Sequence, residues 1–144
     1  MDIGKAVWTG MILLTGSIMD LRKQKLPYVF LLACALGSIV LAAVKYQGEW
    51  LQTAGGVLLG GSILLFGKWS GCIGMADGIF ITMLGILYGA AGSGEQVLYA
   101  VFLTALAAVW LITVRGAEAK TRVPFLPFLT AGFVIYMLRF IVCG

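Results

Sequence analysis

Long apolar stretches follow one another along this chain with hardly a polar gap between them, and that pattern decides what it can fold into. Read between the polar breaks, they run from Ile3 to Met19, Tyr28 to Val44, Leu51 to Phe66, Ile79 to about Ala91, Val97 to Val114 and about Pro127 to Cys143. A membrane-crossing helix needs about 17–25 mostly apolar residues; the third stretch falls just short of that, and the fourth, interrupted by glycine, falls well below it. Inside hydrocarbon each backbone N–H and C=O must find its partner within the protein, so such stretches form helices. Composition agrees: 61% of the 144 residues are hydrophobic and 11% charged, whereas a soluble domain carries about 25% charged residues. The expectation is an all-α integral membrane protein of about six transmembrane helices, lying in a lipid bilayer. Its first stretch opens with Asp2 and a single Lys5 and ends at Asp20 instead of a small-residue cleavage site, so it reads as a retained span.

Lysine and arginine set the expected orientation, because short loops rich in them stay in the cytoplasm. Arg22, Lys23, Lys25, Lys68, Arg115, Lys120 and Arg122 follow the first, third and fifth stretches, leaving Lys5, Lys45 and Arg139 for the other side. Both termini are therefore expected outside. The net charge of +4 suits anionic lipid, and without a basic patch interleaved with aromatics it points to no nucleic acid. Gly55, Gly56, Gly60 and Gly61 in the third stretch read as a face for close helix packing.

Histidine is absent, and Cys34, Cys72 and Cys143 are scattered. Zinc sites of the Cys/His kind, Cys–His nucleophile pairs and Ser–His–Asp triads are thereby excluded, and neither metal nor cofactor is expected. The polar chemistry that remains is carboxylate chemistry. Asp2, Glu49, Glu95 and Glu118 read as solvated acids of termini and loops, but Asp20 and Asp77 stand at span edges among apolar residues. An acid at membrane depth costs about 2.5–3.5 kcal/mol on insertion scales, which makes it a functional candidate by default. The orientation puts both on the cytoplasmic side. Two close carboxylates share a proton, one activating water while the other polarises a carbonyl. Small residues beside Asp77 leave room for a substrate backbone.

Several segments resemble those of the type IV prepilin peptidases, membrane aspartic proteases that remove the short basic leader from prepilins and pseudopilins. Asp20 to Pro27, "DLRKQKLP", resembles the segment after their first catalytic span. Gly74 to Asp77, "GMAD", resembles their GxGD motif, and the "LGILYG" that follows resembles the helix behind it. Val123 to Gly132, "VPFLPFLTAG", resembles the segment opening their last span. The resemblance implies a single transmembrane aspartic peptidase domain over residues 1–144, with Asp20 and Asp77 catalytic and Gly74, Met75, Ala76 and Pro27 beside the substrate. It also implies a prepilin or pseudopilin substrate and a multi-pass place in a bacterial or archaeal cytoplasmic membrane. Ala76 replaces the usual glycine, and Ile79 stands where many members carry lysine. The long members' N-terminal cysteine-bearing domain has no counterpart here, so a short, peptidase-only form without methyl transfer is expected.

Three rivals remain beside this reading. A small proton- or cation-coupled transporter would use the same two acids, a presenilin-like protease would need more spans and a PAL motif, and a structural membrane subunit would need neither acid. The helix ends also suggest a division of labour. Asp20 closes a helix, where carbonyls disfavour a negative charge, and Asp77 opens one, where N–H groups favour it. On that basis Asp20 is expected to hold the shared proton and Asp77 to activate water.

Overall fold

The computed structural model of the chain describes residues 3–23, 27–45, 50–71, 75–116 and 125–143. They form five helices: α1 (Ile3–Lys23), α2 (Tyr28–Lys45), α3 (Trp50–Ser70), α4 (Met75–Arg115) and α5 (Leu126–Cys143). Among the described residues there is no strand. Three of the helices, α3, α4 and α5, are long and apolar enough to cross a membrane, and α2 contains a shorter apolar helical run, Tyr28–Val44.

Hydroxyl side chains within these apolar helices bond back to the preceding turn. Thr15 donates to the Met11 carbonyl at 2.7 Å, Ser62 to Leu58 at 2.7 Å and Thr113 to Val109 at 2.7 Å. A hydroxyl satisfied by its own helix presents little polar cost to hydrocarbon. Large apolar side chains cover the outside, as in the α1 row Ile3, Val7, Met11, Leu14, Ile18 and Leu21. The opposite face of α1 joins the core, where Leu13, Phe80, Ile81, Leu84, Leu126 and Leu129 are buried. Spacings of three and four residues put each set on a single side of the helix.

Helix α4 takes in both the fourth and the fifth apolar stretch, which is why five helices appear where six stretches were read. It is not a straight rod. Forty-one residues at about 1.5 Å each would reach about 60 Å, twice the hydrocarbon thickness. Gly89, at φ 75° and ψ −178°, interrupts it. Contacts with α3 reveal the effect of that break. Before it, Gly78 lies against Leu64, Thr82 against Gly60 and Gly85 against Gly56, until Gly89 itself meets Gln52. Beyond it, Ala90 lies against Gly55 and Gly94 against Leu59. The order along α3 has reversed, so the chain doubles back at Gly89 and both arms of α4 pack on the same helix.

That packing depends on the absence of side chains. A Cβ on Gly56 would overlap the Gly85 carbonyl, and one on Gly60 would run into Thr82. The close-packing face expected in α3 is present at these positions, whereas Gly61 has open space before it. The segment from Gly92 to Glu95, which looks like a loop in the sequence, is helical. Ser93 is buried and donates to the Gly89 carbonyl at 2.6 Å. Glu95, expected as a solvated loop acid, forms an ion pair with Arg139 of α5. A partner on another helix, together with helical backbone around it, overrides the local loop signal.

Candidate active site

Three helix ends gather at one pole of the bundle: the last turn of α1, the first turn of α4 and the first turn of α5. The register between α1 and α4 can be read from their contacts. Near the far pole the Tyr88 hydroxyl donates to Thr9 Oγ1 at 3.2 Å. Seven residues further along α1 and eight back along α4, Gly16 faces Phe80, where a Cβ would stand 2.9 Å from the tip of the ring. The two helices are thus antiparallel. One more turn brings α1 to Asp20, four residues on, and α4 to Asp77, three residues back. Steps of four and three hold a helix face, so both acids continue the faces already in contact. Asp20 and Asp77 are each half-buried.

Asp20 has a partner that the sequence did not announce. The Phe125 carbonyl accepts the Leu129 N–H at 2.9 Å, the first turn bond of α5. Leu126 therefore lies in the turn whose N–H groups have no acceptor within the helix, and Pro127 after it has no N–H to offer. The Leu126 backbone N–H donates to the Asp20 carboxylate. Asp20 thus caps α5 from another helix, the role that an aspartate just before a helix usually plays for its own.

A second layer lies one turn deeper. Ser17 Oγ is 2.6 Å from Thr130 Oγ1, and Thr130 Oγ1 is 2.9 Å from the Leu126 carbonyl and 3.3 Å from the Leu13 carbonyl. Two hydroxyl hydrogens serve this cluster: Thr130 donates to Leu126 of its own helix, and Ser17 donates to Thr130 across the α1–α5 contact. Ser17 precedes Asp20 by three residues and Thr130 follows Leu126 by four, so the hydroxyl bridge stacks beneath the carboxylate–amide contact.

The electrostatic contrast expected between the acids rests on the helix ends they occupy. Asp77 does open α4. Asp20 closes α1, as expected, with the Leu126 backbone N–H of α5 beside its carboxylate. Of the other candidates, Met75 and Pro27 are exposed and Ala76 is half-buried. Gly74 and Cys72 lie outside the described residues. Ile79 packs against the core, as does Ala76. Leu126, Thr130 and Ser17 were not singled out as site residues; the only signal was the resemblance of Val123–Gly132 to a functional segment, which marked the neighbourhood without giving a role.

Three helices long and apolar enough to cross a membrane define a membrane protein, with Asp20 and Asp77 toward one pole of the bundle. The model of the type IV leader peptidase family matches residues 7–114, and the chain belongs to that family. It is accordingly a peptidase, and the transporter reading is not favoured. The matched stretch contains both Asp20 and Asp77 and ends ahead of α5. No curated protein and no solved structure matches the chain.

Proposed function

We propose that the chain is an aspartic endopeptidase that removes the short basic leader from prepilins or pseudopilins, with Asp20 and Asp77 as its catalytic pair. The observation that carries this is the α1–α4 register, in which the Thr9–Tyr88 hydrogen bond and the Gly16–Phe80 contact lead to the two acids one turn further on. The pole that carries them lies at the cytoplasmic face, six segments cross a bacterial or archaeal inner membrane, and both termini are outside. The arms of α4 on either side of Gly89 supply the fourth and fifth crossings.

In the reaction, water lies between the carboxyl groups, one ionised and one protonated. The ionised acid takes a proton from water as the water oxygen bonds to the scissile carbonyl carbon. The protonated acid gives its proton to the carbonyl oxygen, and both changes yield a neutral gem-diol. Collapse of the diol breaks the C–N bond, with a proton passing to the leaving nitrogen and another returning to the pair. The products are the leader's carboxylic acid and the mature protein's free amine. Close carboxylates titrate as a unit; with Asp20 closing α1 and Asp77 opening α4, Asp20 is the member expected to hold the shared proton and Asp77 the one to activate water. Exposed Met75 and Pro27, with half-buried Ala76, border the path of the substrate backbone.

Asp20→Asn and Asp77→Asn test the pair. Each variant is expected to insert and fold normally and to lose cleavage of a cognate prepilin by at least about a hundredfold, the lower end of what acid–base groups contribute. Near-normal turnover by either purified variant would remove that acid from the mechanism.

A further inference from the structure

Asp20 is held from outside its own helix, and the way it is held bears on the reaction. Its carboxylate accepts the Leu126 N–H. The turn behind that contact is fastened by Ser17 and Thr130, whose oxygens stand 2.6 Å apart. Both residues are in the inner half of the bundle: Ser17 is buried, and Thr130 is partly buried between buried Leu129 and Gly132. The same α1–α5 seam runs on to Gly10, which faces Phe133. A hydroxyl pair in such apolar surroundings has little water to compete for it, so the bridge across the α1–α5 contact persists.

We propose that Ser17 and Thr130 are positioning residues for the peptidase reaction: by locking α1 against α5 they keep the Leu126 N–H on Asp20 and so hold that carboxyl in register with Asp77. The inference rests on the reading of Asp20 and Asp77 as the catalytic pair. A carboxyl group that accepts an N–H at a helix start through one oxygen keeps its other oxygen for water. Without the hydroxyl bridge, α1 and α5 slide or rotate by a fraction of a turn, and the acid keeps its chemistry but loses its aim. Small displacements of a reacting group cost about a hundredfold per ångström in rate.

The test compares Thr130→Val, which keeps the shape and removes the hydroxyl, with Thr130→Ser, which restores it without the methyl group. Cleavage of a prepilin peptide by the full-length protein in lipid vesicles gives kcat and KM separately. Thr130→Val is expected to lower kcat about ten- to a hundredfold with KM within about twofold, and Thr130→Ser to regain most of the loss. Ser17→Ala is expected to lower kcat in the same direction, and the double variant to be no worse than Thr130→Val, since the two hydroxyls act as one bridge. If Thr130→Val fails to fold, Ser17→Ala decides alone. Wild-type kcat in Thr130→Val or in Ser17→Ala overturns the proposal, as does an equal loss in Thr130→Val and Thr130→Ser. Asp20→Asn, measured alongside, separates the two levels. If it is inactive while the hydroxyl variants are normal, only the positioning role falls; if it is active, the catalytic pair falls first.

Discussion

Gly16 sets how near α1 comes to α4 at Phe80, and on the proposed reading this spacing carries on to the two acids one turn away. A Cβ there would stand 2.9 Å from the tip of Phe80, a ring that is itself fully buried and has nowhere to turn. Gly16→Ala is expected to cost about 1–3 kcal/mol through overpacking. Its effect on turnover should be larger than its effect on stability, because the strain falls one turn from both carboxyls. We expect kcat to drop about tenfold or more in a variant that still folds, measured by peptide cleavage beside thermal unfolding in the same detergent. Full activity in a folded Gly16→Ala protein would mean that the spacing of α1 and α4 is not what tunes the pair. Asp20 itself illustrates the limit of reading residues singly. Its depth and its apolar neighbours marked it in the sequence, but the backbone N–H that holds it belongs to Leu126, and backbone groups carry no sequence signal of their own.

Helix boundaries were legible where polar residues punctuate the chain. The expected stretches from Tyr28 to Val44 and from about Pro127 to Cys143 agree closely with α2 and α5, because the Lys and Pro residues at their edges have direct physical effects on where a helix runs. The junction between the fourth and fifth stretches was misplaced for an equally physical reason. Gly92-Ser93-Gly94-Glu95 looks like a loop by composition, but its serine bonds back to the helix and its glutamate is paired with Arg139. The real reversal hides at Gly89, in an apolar run without any polar marker. Its combination of positive φ and fully extended ψ is a region open essentially to glycine alone, and a Cβ there would also press on Gln52 at 3.1 Å. Gly89→Ala should cost about 1–3 kcal/mol, seen as a lower unfolding midpoint in detergent. An unchanged midpoint would mean that the chain does not turn there as described.

For the whole molecule, the contacts gather the end of α1 and the starts of α4 and α5 at one pole, and on the proposed reading the lysine and arginine distribution turns that pole to the cytoplasm. Cysteine labelling tests the assignment. In a background lacking Cys34, Cys72 and Cys143, a cysteine at exposed Lys68 or Arg115 should react with an impermeant thiol reagent only after the membrane is opened, while one at exposed Trp50 should react in intact cells. The opposite pattern would invert the protein. The class of molecule was legible because bilayer thickness leaves a direct imprint on sequence length and hydropathy. Two candidate acids were legible, since charge in an apolar chain stands out. Their place relative to each other was not, because register between helices depends on side-chain shapes, here Phe80 against Gly16, that no local pattern encodes.

The cap that Asp20 provides to α5 also has a meaning in time. Asp20 belongs to α1, which leaves the ribosome ahead of the other described helices, whereas the Leu126 N–H arrives only after α2, α3 and α4 have been made. Closing so long a span is entropically slow compared with neighbouring contacts. During synthesis both acids are therefore made before the group that orients one of them. If the two acids are the catalytic pair proposed above, a nascent chain at that stage holds both of them without the contact that aims one. On the positioning reading, cleavage begins only once α5 has docked, and an immature intermediate is spared from cutting its neighbours.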